Sequence, residues 1–407
     1  MKIIKILFCS IFCSLIVSGL FSQGTYNGSG SVTKGRGITT NPNIFSGCPG
    51  SRVSAIGIIT SLDKKNWILP AENNFLGAVK LSDLYNECNN VRPANLNGVN
   101  LNNVPITEID FNGDIITGFI FSDNYFELYI NGKIVGVDPV PYTPFNSCIV
   151  RFKVKRPYTI SVLLIDWEEN LGLGTENNNG NLFHAGDGGF IAQFSDGTVT
   201  DTSWRAQTYY IAPIENLSTI VELPDSTRST ASASTSPSCK DSCFAIHYNI
   251  PKDWNNNFFN DSAWPKAKTY SANQVTNSVS YTNFASTAWK NADFIWTSNL
   301  ILDNIVLARK TVGNLTGTSN LADVPFIQIE NPFFENIILN CNAILNNAEI
   351  RLTDLSGREI QNWNTVRKNN NEKIELKINT ELLDGIYILT IKDKNIYKAV
   401  KLIHCKK

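Results

Sequence analysis

Side chains that alternate in steps of two, cut short again and again by tight-turn residues, constrain this chain more than any other feature. Residues 123–138 read DNYFELYINGKIVGVD. Phe126, Leu128 and Ile130 alternate with Tyr125, Glu127 and Tyr129, and Asn131-Gly132 supplies the pair that most readily takes the positive φ angles of a type I′ turn. ITEIDFNGDIITGFIF, residues 106–121, predicts a second hairpin around Asn112-Gly113. YTISVLLIDW, residues 158–167, is apolar at every other position and in between, as a strand covered on both faces must be. Helical periodicity is confined to AVKLSDLYNECNN, residues 78–90, which predicts one short helix. Strands without intervening helices exclude a parallel α/β sheet. They predict an all-β chain of one or two antiparallel β-sandwiches.

The first residues, MKIIKILFCSIFCSLIVSGLFSQG, pair two lysines with an apolar run of about 16 residues, too short for a comfortable membrane span. They predict a signal peptide over 1–22, cut after Ser22, and no transmembrane span in the mature chain. Removal takes Lys2 and Lys5, lowering the basic count from 35 to 33 against 36 acidic residues, a net charge of about −3. A near-neutral chain lacks the basic footprint of a nucleic-acid binder. Cys9 and Cys13 leave with the signal. In an oxidising compartment the expected pairs are Cys48 with Cys88, Cys239 with Cys243 and Cys341 with Cys405, with Cys148 unpaired. Zinc held by Cys239 and Cys243 is the alternative for that pair, although no second ligand pair follows.

Composition then divides the rest. Residues 23–50, rich in Gly, Ser, Thr and Asn, predict a flexible segment, and 51–223 predict the main sandwich. A Ser/Thr-rich loop or linker follows at 224–243, then 244–312 as a second or completing sandwich part, and a linker at 313–325. In the final segment, 326–407, Ile374, Leu376 and Ile378 alternate, as do Tyr387, Leu389 and Ile391. Ser356-Gly357 and Asp384-Gly385 make turns, which together predict a small all-β sandwich.

That final segment resembles the C-terminal sorting domain of the type IX secretion system of Bacteroidetes bacteria. The resemblance rests on Asn331-Pro332, LTDLSGRE, LLDGIYILTI and the closing KAVKLI strand. It implies contact with the type IX secretion machinery and an extracellular or outer-surface destination. The central region resembles galactose-binding-like jelly-roll modules appended to rhamnosidases and other carbohydrate-active proteins. The signatures are SDNYFELYINGKIVG, ISVLLIDWEENLGLGTE, GDGGFIAQFSDGTVTDTSWRAQ, FFNDSAWPKA and WKNADFIWTSNLILDNIVLARK, in that order. That family implies a β-sandwich that holds glycans without catalysis. Two departures stand out: NDSAWPKA and ADFIW follow the Asn-Gly-Lys hairpin instead of preceding it, and an insertion carries Cys239 and Cys243.

The most unusual stretch is DWEENLGLGTENNNGNLFHAGDGG, residues 166–189. Trp167 offers a flat face for the C–H side of a sugar, and Asp166, Glu168, Glu176 and Asp187 offer carboxylates to its hydroxyls, with Asp123 and Asn124 beside them. Asp166, Glu169 and Asp187 are hard oxygen donors of the kind Ca²⁺ takes. The alternative is that Trp167 is core and the acids are solvated loop charges. His184 and His247 lie near no nucleophile elbow and no zinc-protease helix. Gly186-Asp187-Gly188-Gly189 reads as a bend at a strand start, since no Lys-Ser/Thr follows. Trp204, Trp264 and Trp296 read as core. Three functions compete: a surface or secreted binder of glycans or extracellular polysaccharide, an adhesin or matrix protein that binds other proteins, and a hydrolase using two of the acids of 166–189.

Overall fold

The computed structural model describes residues 26–45, 48–178, 181–224, 227–275, 278–313, 327–329, 331–341, 345, 347–364, 372–393 and 396–406. The expected signal peptide and nearly all of the expected linker at 313–325 lie outside them. The chain divides into two compact units, Met1–Gly313 and Asn314–Lys407. Among the described residues no helix is long and apolar enough to cross a membrane.

The larger unit is built on two sheets. The main sheet runs, in spatial order, Ser31–Lys34, Phe244–His247, Arg205–Ile214, Asp303–Val312, Tyr158–Ile165, Tyr125–Ile130 and Lys133–Val137. The second runs Lys268–Tyr270, Phe294–Trp296, Gly189–Phe194, Asp114–Asp123, Asn146–Val154 and Ser82–Asn86, with Ile106–Glu108 pairing Asn146–Val154 in parallel. The fold is all-β, as the alternation predicts. Strands 244–247 and 303–312 lie inside the main sheet, so the segment expected as a second or completing part belongs to the same sandwich.

The apolar doubling of YTISVLLIDW has a direct cause. Ile160, Val162 and Leu164 point into the core between the two sheets, whereas Leu163 and Ile165 point into a second core on the other face of the main sheet. Tyr125–Ile130 splits the same way: Phe126, Leu128 and Ile130 face the second sheet, and Tyr125 and Tyr129 face the covering layer. Glu127 shares that covered face and survives burial because four groups donate to it. These are Tyr125 Oη at 3.1 Å, Tyr129 Oη at 2.6 Å, Asn74 Nδ2 at 2.8 Å and Asn74 N. A buried carboxylate without such partners costs several kcal/mol, of order 3–5. The Asn131-Gly132 turn forms with φ of 50° and 83°, and closes the hairpin as predicted.

Three expectations give way. Residues 78–90 form no helix; Ser82–Asn86 is an edge strand against Asn146–Val154, where Leu84 and Tyr85 are buried. Tertiary pairing overrides a weak local period. Residues 106–121 form no hairpin, because Ile106–Glu108 pairs with Arg151–Lys153 rather than with the strand that follows it. The segment expected to be flexible is part of the fold. Ser31–Lys34 zips onto Phe244–His247, and Tyr26 and Val32 are buried, held by ladder bonds that composition does not reveal.

Residues 38–41, 56–60 and 66–69 form a three-stranded sheet in the covering layer, and residues 254–264 complete the layer. Arg309, fully buried, fastens the latter segment. It donates to Asp261 Oδ2 at 2.9 Å, Ser161 Oγ at 2.9 Å, Asn256 O at 3.0 Å and Trp254 O. Cys48–Cys88 and Cys239–Cys243 form disulfides, and Cys148 is free and buried. The zinc alternative ends with the second bridge. Cys405 carries a free thiol, so its expected bond to Cys341 is not made; the Cys341 side chain lies outside the described residues. Trp204, Trp264 and Trp296 are core residues.

The smaller unit holds a three-stranded sheet, Ile327–Ile329, Asn336–Cys341 and Glu372–Lys377, and a four-stranded one, Glu359–Asn364, Glu349–Asp354, Gly385–Asp393 and Ile396–His404. Ile337, Leu339, Ile374 and Leu376 of the first share one core with Ile350, Leu352, Leu389 and Ile391 of the second. Gly357, at φ 84°, turns the chain between two of these strands, where the Asp354 carboxylate accepts from Ser356 N at 2.9 Å.

Candidate functional site

The acidic stretch starts where three strand ends meet. Asp114–Asp123 ends in the second sheet and the chain crosses at Asn124 into the main sheet, where Asn124 N donates to Ile165 O at 3.1 Å. Asn124 Oδ1 accepts from Trp167 N at 2.5 Å, and Asp166 N donates to Asn304 O at 2.9 Å. These bonds fix Asp123, Asn124, Asp166 and Trp167 at one end of the sandwich.

Burial decides their chemistry. Trp167 has 0% of its surface exposed; its Nε1 donates to Ala55 O at 3.1 Å and its ring meets Tyr125 edge-on. It offers no face to a sugar, which corrects the expected platform: Ala55 and the rest of the covering layer lie on top of it. Glu168 is a structural acceptor, receiving Gly172 N at 2.8 Å, Tyr210 Oη at 2.8 Å and Gly174 N. Burial raises its pKa to about 7, against the pull of those donors. Glu169 takes Arg52 through two nitrogens, at 3.2 and 2.7 Å, and Glu176 takes the same guanidinium at 2.8 Å. Neither is free to meet a ligand. This also breaks the expected calcium set of Asp166, Glu169 and Asp187. Among the described residues no group of three or more His, Cys, Asp and Glu side chains is placed to hold a metal ion.

Asp123 and Asp166 form the remaining cluster, with Asp187 and Glu176 near enough to act on both. They are 1% and 3% exposed, and one oxygen of each, Oδ2, meets no hydrogen-bond partner among the described residues. Burial first, then the charges of Asp187 and neighbouring acids, push both pKa values well above the carboxylate range. That direction favours the protonated acid, and the burial of both groups corrects the alternative of solvated loop charges, whereas its other half, Trp167 as core, is what the structure shows. A Cβ on Gly186 would fall onto the Asp166 carboxyl, so the close approach needs glycine there. The run Gly186–Gly189 does lead into strand Gly189–Phe194. The side chain of His184 lies outside the described residues.

A cleft of about 500 Å³ opens elsewhere, on the covered face of the main sheet. Lys65, Asn66, Trp67 and Ile68 form one part of its wall, and His247, Tyr248, Asn249 and Ile250 another, with Tyr209 and Ile305 also lining it. His247 stacks with Trp67, centroids 5.2 Å apart, and with Tyr210, 4.5 Å apart. Its Nε2 lies 3.0 Å from Thr33 Oγ1, and burial lowers its pKa to about 3. The ring is thus neutral at any physiological pH and serves as a support. Arg228 lies over Tyr248 at 3.6 Å and Tyr209 at 4.7 Å from the ring centroids, which fixes both rings. Trp67 is half-buried, and its Nε1 meets no acceptor among the described residues. Sequence reading missed this cleft. The available signal was a Trp in an alternating edge segment, NWIL, directly after the turn SLDKK.

Residues 331–405 match the family described as the secretion system C-terminal sorting domain. No curated protein matches the chain. Three solved structures are similar at low identity. A biofilm-associated protein BSP domain is 10% identical, over 94% of this chain and 68% of that one, with TM-score 0.18. A β-D-glucuronidase of Dictyoglomus thermophilum is 9% identical, over 92% of this chain, with TM-score 0.17; the chain spans only 43% of its length. A lectin of Pleurotus ostreatus in complex with GalNAc is 12% identical, over 93% and 86%, with TM-score 0.17. Scores this low carry no argument about the larger unit. The C-terminal match does carry one: residues 331–405 are a type IX secretion sorting domain, and the chain is a protein exported by that system to the extracellular space or the cell surface.

Proposed function

We propose that the exported chain is a non-catalytic carbohydrate-binding protein whose sugar site is the cleft beside Trp67. The supporting observation is a half-buried indole, held flat by His247, next to two polar side chains, Glu72 and Asn249, that no other described residue engages. Glu72 and Asn249 line the cleft and make no side-chain hydrogen bond among the described residues. A pyranose has an apolar C–H face and a ring of hydroxyls. Flat aromatics with a few convergent polar groups answer both, and the cleft volume lies within the usual ligand range of about 300–1,000 Å³. A glycan array probed with the whole exported chain tests this. Binding that disappears in Trp67→Ala supports the reading, and binding unchanged in that variant refutes it.

A second reading, an adhesin that holds other proteins, has its own observation. Ile38, Ile58 and Ile68 lie opposite one another across the three-stranded sheet, and all three are exposed. A flat array, with binding to a matrix protein that Ile38→Ser and Ile58→Ser abolish, favours this reading.

A further inference from the structure

The strand Asn66–Leu69 is an outer member of its sheet, paired only with Ile56–Thr60. Its turn determines which backbone groups stay free. Ser61 N donates to Lys65 O at 2.9 Å and Lys64 N to Ser61 O at 2.9 Å, with Lys64 at φ 67°, the three-residue hairpin that closes on a hydrogen-bonded pair. Antiparallel pairs alternate. Trp67 and Leu69 therefore bond inward to Ile59 and Gly57, and the N–H and C=O groups of Asn66 and Ile68 point away from the sheet. Both residues line the cleft, so an unpaired strand edge is one of its walls.

We propose that the cleft selects a pyranose carrying an acetamido group, and that the free edge at Asn66 and Ile68 reads that group. The inference rests on the carbohydrate reading above. An acetamido group is a peptide unit in miniature: one N–H, one C=O on the opposite side, and a methyl. One polar atom meets the strand edge, where a backbone donor and acceptor stand ready. The other meets Asn249, whose amide offers a donor and an acceptor. The methyl finds Ala71 and Ile250, apolar residues on the same lining. A plain hydroxyl at that position reaches the edge but leaves these side chains uncovered. Lys65 is paired with Asp63 at 3.1 Å, which leaves Glu72 as the uncompensated charge among the lining residues and disfavours an acidic sugar.

The test titrates the whole exported chain with the methyl glycosides of N-acetylglucosamine and N-acetylgalactosamine, and with those of glucose and galactose. We expect at least one acetamido sugar to bind roughly tenfold more tightly than its hydroxyl parent. Ile68→Pro removes one edge N–H and, at an edge position, no ladder bond; it should lose that preference, whereas Ile68→Val should keep it. Thermal melting checks that each variant folds. If Ile68→Pro does not fold, the comparison of glycosides in the unmodified chain decides alone. Equal binding of the two series, or a preference that survives in folded Ile68→Pro, overturns the inference. An array on which only acetamido-free glycans bind through Trp67 overturns it and leaves the carbohydrate reading standing. An array with no Trp67-dependent glycan at all overturns both.

Discussion

The indole of Trp67 lies on the imidazole of His247 with their planes 21° apart. Trp67 comes from the edge of a small covering sheet and His247 from the main sheet, so this contact joins the two walls of the cleft. Burial keeps His247 neutral, and a neutral ring packs against an indole without the desolvation cost of a cation. His247→Ala should therefore loosen Trp67 and weaken glycan binding several-fold, whereas His247→Phe should largely retain it. Titration of both variants against the best array glycan checks this.

Arg52 is the sole cation that neutralises two acids of the 166–189 loop among the described ion pairs, Glu169 and Glu176. Arg52→Ala leaves both carboxylates, whose side chains are 11% and 9% exposed, without it. A fully buried broken pair costs about 3–5 kcal/mol. Arg52 itself is partly solvated, so about 2–3 kcal/mol is expected. Urea unfolding of the whole chain, following the transition of the larger unit, measures it.

Trp167→Ala should destabilise the larger unit by about 3–5 kcal/mol, the usual cost of truncating a buried indole. Trp167→Phe should cost less and leave the affinity of the cleft unchanged. Melting and glycan titration of the two variants separate a core role from a recognition role.

The acid cluster predicts an unusual pH dependence. Asp123 and Asp166 have pKa values raised by burial and then by the charge of Asp187, and Glu168 is pushed up to about 7. From the ordinary carboxylate values up to the raised ones the folded chain binds more protons than the unfolded one, so stability falls as pH rises from about 4.5 to 7. His247 acts in the opposite sense. Its folded pKa of about 3, against an ordinary 6.5, makes acidification below about 6.5 destabilising. Between about pH 4.5 and 6.5 the three raised acids outweigh the one lowered histidine, so the melting temperature should be higher near pH 5 than at pH 8. Asp166→Asn, which mimics the protonated acid, should raise it at pH 8 and flatten the decline.

What the sequence made legible follows from how local each cause is. Strand alternation and the Asn131-Gly132 turn are encoded residue by residue, and they form as read. The disulfides Cys48–Cys88 and Cys239–Cys243 were also within reach, as were the features of residues 331–405. Long-range pairing was not. Nothing near Ser31–Lys34 announces a partner strand 210 to 216 residues further on, the separations of Lys34 from Phe244 and of Ser31 from His247. Trp167 misled for a related reason: a buried and an exposed indole are identical in sequence, and only the position of Ala55 above it tells them apart. The carboxylates of 166–189 were recognisable as a cluster, but their partners, Arg52 and the amides of Gly172 and Gly174, are a matter of folding.

Export gives a prediction of its own. Deleting residues 331–405 removes the sorting domain and should leave the remaining chain inside the outer membrane. Immunoblots of cell fractions and medium read this directly, and a truncated chain that still reaches the medium or the surface contradicts the assignment.

The measurement that bears most directly on the central claim is calorimetric titration of the whole exported chain, unmodified and as Trp67→Ala, with the strongest glycan from the array. The account predicts saturable binding by the unmodified chain and at least a tenfold loss, about 1.4 kcal/mol, in the variant at an unchanged fold. Equal affinity in the two proteins would contradict it.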